Sequence, residues 1–112
     1  MYEQLSMPDP SYLDKAVLIA GTDNYWSQTH ADGQINYISS NYFTPEYGYT
    51  TIHKHNYNCS SQDAEIRTEI GEGVGFANYT AHGDVTEWCD PVFKASQITN
   101  MQNENKYGLM IG

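Results

Sequence analysis

The chain has 112 residues, 14 acidic against 5 basic, and a formal net charge of −9. That length allows one domain at most and is short for a complete enzyme of α/β architecture. The charge argues against nucleic acid or an anionic membrane surface as partner, and no run approaches the roughly 18 apolar residues of a membrane span.

Residues 1–14 read as a connector, because Pro8 and Pro10 block a continuous helix. The first residues lack the basic and apolar regions of a signal peptide and resemble the tail of a helix. Lys15 to Gly21 is a near-continuous apolar run of strand length, and Thr22-Asp23-Asn24 sets a carboxylate just past its end. Ile35, Ile38, Tyr42 and Phe43 recur at helical spacing, predicting a helix over about 29–43 that ends near Pro45. Tyr49 to His55 is a short β-rich run. Asp63 to Ile70 is the next predicted helix, with Ala64, Ile66 and Ile70 on its buried side and Gly71 and Gly73 as its stop signal.

A strand over 74–82 follows. Phe76, Asn78, Thr80 and His82 share one face and Ala77, Tyr79 and Ala81 the other, with His82 as the last strand residue before Gly83. A loop through Trp88 and Pro91, a helix at about 94–102 and a final apolar strand over Lys106 to Gly112 complete the order β-α-β-α-β-α-β. Such alternation implies right-handed crossovers and a mainly parallel sheet with helices on both faces. The final strand stops where the chain stops, so both ends are expected to be cut from something longer.

Asp23 and His82 therefore share the edge outside the carboxyl ends of the strands, where ligands and catalytic groups collect. A histidine held by a carboxylate and facing a nucleophile can take that nucleophile's proton near neutral pH. The plainer alternative is a hydrogen-bonded histidine with no catalytic role. The two cysteines, Cys59 and Cys89, are too few for a disulfide framework. Cys89, seven residues after His82, is read as a buried or adventitious thiol rather than a nucleophile. His53-x-His55 is half of a metal site with no third ligand at diagnostic spacing, and an exposed histidine pair is the better reading. Gly71-x-Gly73-x-Gly75 follows a helix and precedes a strand, the wrong order for a phosphate loop. The sequons at Asn58 and Asn78 are weak, the second lying in a strand expected to be buried.

Asn78-Tyr79-Thr80-Ala81-His82-Gly83, Trp88, Asp90-Pro91, the run Lys106 to Gly112 and Leu18-Ile19-Ala20-Gly21-Thr22-Asp23-Asn24-Tyr25-Trp26 together resemble the gingipains, above all the lysine-specific branch. The similarity extends from Met1 to Gly112 with one region of poor match near 53–72. It implies a three-layer αβα, caspase-like (Rossmann-like) fold, with 15–112 as the N-terminal part of a secreted or cell-surface bacterial cysteine endopeptidase. By the same resemblance His82 is the catalytic histidine, Asp23 its orienting carboxylate, and Gly83 an oxyanion-hole N–H donor. Thr80 and Trp26 correspond to residues of the pocket that receives a substrate lysine.

In the family the strand matching 106–112 runs into an Asn-Cys-Cys segment whose second cysteine is the nucleophile, which would be the third residue beyond Gly112. The expected function is thus the histidine-bearing fragment of an endopeptidase cleaving after a basic residue, lysine before arginine, inactive by itself. Its partner is a peptide or protein substrate, and no metal or cofactor is expected. The rival reading is a non-catalytic protease-like module lacking a nucleophile; a third is a metal-dependent hydrolase using His53 and His55. An uncovered edge at Leu109, Met110 and Ile111 is further expected to drive self-association of the fragment.

Overall fold

The computed structural model describes residues 7–23, 25–57 and 62–112. Its strands are β1 (Lys15–Ala20), β2 (Thr51–His55), β3 (Phe76–Thr80), β4 (Glu87–Cys89), β5 (Val92–Lys94) and β6 (Leu109–Ile111). Four of them make one parallel sheet in the order β2-β1-β3-β6, while β4 and β5 pair as a separate antiparallel hairpin. The helices are α1 (Gly33–Asn41), entered through a π-helical turn at Ser27–Asp32, then α2 (Asp63–Glu72) and the short α3 (Ala95–Ile98).

Strand β1 is interior to the sheet and apolar from Ala16 to Ala20 because it is covered on both faces. Val17 and Ile19 pack with Ile66 and Ile70 of α2 and with Val74, Ala77 and Tyr79. Leu18 and Ala20 pack with Ala31 and Ile35 on the α1 side. The result is the expected helix–sheet–helix layering, with the two-residue period of β1 feeding both cores. Among the described residues no helix is long and apolar enough to cross a membrane.

The chain moves from β1 outward to β2, then returns past β1 to β3 on the other side. The strand order therefore reverses between β1 and β3, and the crevice outside their carboxyl ends is the switch point at which open α/β sheets form sites. Gly21 makes this convergence possible. A Cβ there would lie 2.0 Å from Ala81 Cβ and 2.2 Å from the Asp90 carbonyl oxygen, distances no side chain can occupy.

The structure departs from the sequence pattern at several points. Strand β3 ends at Thr80, whose carbonyl takes the Gly21 N–H at 3.0 Å, rather than at His82. Beyond it the His82 carbonyl accepts from Cys89 N–H at 3.0 Å and from the Tyr79 hydroxyl at 2.6 Å, so the backbone turns toward β4. The segment read as a loop through Trp88 and Pro91 contains the β4–β5 hairpin, and the helix expected over 94–102 is only Ala95–Ile98. Gly71 lies inside α2, which ends at Gly73 with a left-handed φ of 100°. Ala64 is exposed rather than on the buried side of α2. Cys59 and the sequon at Asn58 lie outside the described residues.

The reading of His53 and His55 as an exposed pair is also corrected. His55 is 4% exposed, and both imidazoles meet one carboxylate of α2, His53 Nδ1 at 2.9 Å and His55 Nε2 at 2.6 Å from the two oxygens of Glu69. The second ring nitrogen of His55 faces Gln62 Oε1 at 2.8 Å. These are direct hydrogen-bond separations, and among the described residues no three histidine, cysteine, aspartate or glutamate side chains surround a common point.

Candidate active site

Asp23 sits three residues beyond β1 in a turn that it organises itself. Its Oδ1 accepts the N–H groups of Tyr25 at 2.9 Å and Trp26 at 3.0 Å, and its own N–H donates to the Ser27 hydroxyl. Ser27, buried at the start of the π-helical turn, also lies 2.8 Å from the Asp23 carbonyl oxygen. An aspartate followed by free N–H groups two and three residues on is the side-chain turn that Asp forms readily. These bonds leave Oδ2 for His82, whose Nε2 is 2.8 Å away.

The Tyr25 N–H, the His82 hydrogen bond and the Trp26 N–H together hold the Asp23 carboxyl down at about 2, from an ordinary value of 3.8. Asp23 is therefore a fixed anion over the whole neutral range. Because the carboxylate takes Nε2–H, the neutral imidazole has its lone pair on Nδ1, which is the nitrogen left to accept a proton. The His82 side chain is 71% exposed, so that nitrogen is open to approach.

Gly83 faces Trp88 in a bridge whose hydrogen bonds belong to the neighbours, Cys89 N–H to the His82 carbonyl at 3.0 Å and Asp84 N–H to the Glu87 carbonyl at 2.8 Å. In such a non-hydrogen-bonded pair the N–H of Gly83 itself points away from β4. Beneath it Trp88 stacks on Tyr79, ring centroids 4.1 Å apart and planes within 3°. This fixes the loop that carries His82 and Gly83.

A cleft of about 240 Å³ opens beside the pair, lined by Asp23, Trp26, His30, Ala31, Thr80 and His82 among others. The Trp26 ring leans on His30 at 5.1 Å. Four of the five candidate residues thus line one cleft, and Gly83 follows His82 directly in the chain. A larger depression, about 420 Å³ between α2 and α3, is lined by Arg67, Gln97 and Met101 and contains none of them. Cys89 is exposed in β4 rather than buried, and among the described residues no hydrogen bond joins its thiol to the imidazole. Sequence reasoning missed Ser27, His30 and Gln34; only Ser27 left a signal, its four-residue spacing from Asp23 matching a turn. Gln34 Oε1 meets the Thr80 hydroxyl at 2.9 Å.

The model of the family named peptidase family C25 matches residues 1–112. The chain belongs to this family. This C25 chain is 43% identical over all 112 residues to Lys-gingipain HG66 of Porphyromonas gingivalis and 42% identical to Lys-gingipain W83 of the same organism. It spans 6% of the length of each. A solved structure titled as that of a protease superposes with a TM-score of 0.88 at 41% identity, covering the whole chain and 24% of that structure. The Arg-specific cysteine proteinase gingipain R superposes with a TM-score of 0.70 over 91% of the chain and 24% of its own; at 24% identity it supports the shared fold alone.

Proposed function

We propose that this chain is the histidine-bearing part of a C25 cysteine endopeptidase that cleaves peptide bonds after a basic residue, lysine before arginine. The observation that carries the proposal is the Asp23 Oδ2 to His82 Nε2 contact of 2.8 Å at the switch point of the sheet. His82 Nδ1 takes the proton of a cysteine thiol, and the thiolate attacks the scissile carbonyl. The imidazolium, stabilised by Asp23, returns that proton to the leaving amine. Gly83 N–H and the nucleophile's own N–H hold the oxygen anion of the tetrahedral intermediate. Thr80 and Trp26 receive the substrate's basic side chain. The secreted or cell-surface location is part of the same proposal.

The sheet register supports a nucleophile three positions past Gly112. Strands β3 and β6 pair Phe76 with Leu109, Ala77 with Met110 and Asn78 with Ile111. Continued in step, Tyr79 aligns with Gly112, whose Cα would carry a side chain 3.5 Å from Tyr79 Cβ. Thr80, the last residue of β3, then aligns with the first position beyond, and Ala81 and His82 follow it past the same end of the sheet as the chain turns toward β4. A thiol at the third position would emerge past the carboxyl end of β6, at the same edge of the sheet as His82.

The test is to read the gene through the codons after Gly112 and assay the full-length protein and His82→Ala on lysyl, arginyl and norleucyl peptides. Cysteine at the third position, hydrolysis after lysine faster than after arginine, and loss of turnover in His82→Ala are the expected results. The 112 residues alone should be inactive. Another residue at that position, with no hydrolysis, would overturn the reading in favour of a non-catalytic module.

A further inference from the structure

We propose that Gln34 and Asn78 lock the Thr80 hydroxyl as a hydrogen-bond acceptor facing the cleft, which makes Gln34 a positioning residue for recognition of a primary ammonium. This rests on the peptidase reading above. Thr80 Oγ lies 2.9 Å from Gln34 Oε1 and 3.0 Å from Asn78 Oδ1. A hydroxyl has one proton and two lone pairs, so it donates to only one of two oxygens. The oxygen and nitrogen ends of a carboxamide have the same shape, and the hydrogen-bond network decides which way each points. Both contacts are hydrogen bonds only if at least one carboxamide turns its NH₂ group to Oγ.

Two arrangements remain. If both carboxamides donate, the hydroxyl proton is turned into the cleft and Thr80 meets a ligand there as a donor. If one donates and one accepts, a lone pair faces the cleft instead. The second arrangement, with Gln34 Oε1 accepting the hydroxyl proton and Asn78 turning its NH₂ to Oγ, is the one proposed, because it alone leaves an acceptor for a ligand in the cleft.

The cleft around that lone pair selects its ligand. Trp26, Ala31 and Ala81 give apolar walls for an aliphatic stem, and the Asp23 carboxylate supplies negative charge at the same mouth. The end group must donate and never accept. An ammonium does this from a point, whereas a guanidinium presents a planar fork that one oxygen meets only in part. Gln34 belongs to α1 and Thr80 to the end of β3, so the selecting atom is set by a helix that does not carry the Asp23–His82 pair.

A double-mutant cycle on the full-length protein tests this, with Gln34→Met, Thr80→Val and their combination assayed on lysyl and norleucyl peptides. Gln34→Met should lower kcat/KM for the lysyl peptide about three- to tenfold, the worth of one such hydrogen bond, and leave the norleucyl peptide unchanged. It should add nothing in the Thr80→Val background. Gln34→Glu keeps an acceptor for the hydroxyl proton and should restore the lysyl rate. Equal losses on both peptides, or additive losses in the double variant, would overturn the lock while leaving the peptidase reading intact. Failure of the unaltered protein to hydrolyse either peptide would overturn both.

Discussion

The Asp23 carboxylate is a structural organiser as much as a partner for His82. Two backbone N–H groups on one oxygen and an imidazole on the other fix its orientation completely. Asp23→Asn preserves the shape but must offer an NH₂ to one side, which reverses the Nε2 tautomer or breaks the turn. In the full-length protein kcat should fall by about 10²- to 10⁴-fold with little change in KM, as for loss of an acid–base partner's orientation. The depressed carboxyl also fixes a sign. A group lowered from 3.8 to about 2 contributes its stabilisation above 3.8 and loses it as pH falls through about 2. Any acid limb of activity above pH 4 therefore has another origin, and carboxyl chemical shifts of Asp23 followed by NMR should stay flat there.

The buried clamp between β2 and α2 behaves in the opposite sense. Burial alone would push His55 down, yet hydrogen bonding and charge from Glu69, with Gln62 and Glu65 beside it, outweigh this and raise it above 6.5. A raised histidine stabilises the fold fully below 6.5 and loses that contribution as pH rises through its folded value. Urea unfolding should thus show a lower midpoint at pH 9 than at pH 6, and Glu69→Gln should flatten the difference while costing about 1–3 kcal/mol at pH 6. This clamp was invisible in the sequence, because Glu69 is brought to the two histidines only by the docking of α2 on the sheet. Strand β1 was legible, since five apolar residues in a row, Ala16 to Ala20, have no surface option. The β4–β5 hairpin was not: three-residue strands are too short to show alternation, and Trp88 and Phe93 are ordered by tertiary stacking rather than by local preference. The placement of Asp23 and His82 at one edge was legible because each follows a segment of clear strand pattern, apolar in β1 and alternating in β3; Gln34 was not, because its partner lies 46 residues away.

At the scale of the molecule, the sheet ends on β6 with Leu109 61%, Met110 44% and Ile111 49% exposed. A three-residue apolar edge strand offers both side chains and unpaired backbone groups to another chain. The isolated 112-residue polypeptide should accordingly sediment as dimers or larger species at high concentration, and Met110→Lys should return it to a monomer. A clean monomer without that substitution would refute the expectation.

The pairing of β3 with β6 also acts as a ruler. A step along a strand is about 3.3 Å and turns the side chain to the opposite face. The chemistry proposed for this edge is consequently sensitive to counting as well as to composition. Most substitutions in Leu109–Ile111 leave the spacing to His82 intact, whereas one inserted or deleted residue would deliver the thiol to the wrong side of the sheet. Under the proposed mechanism, length in this short stretch is a catalytic property.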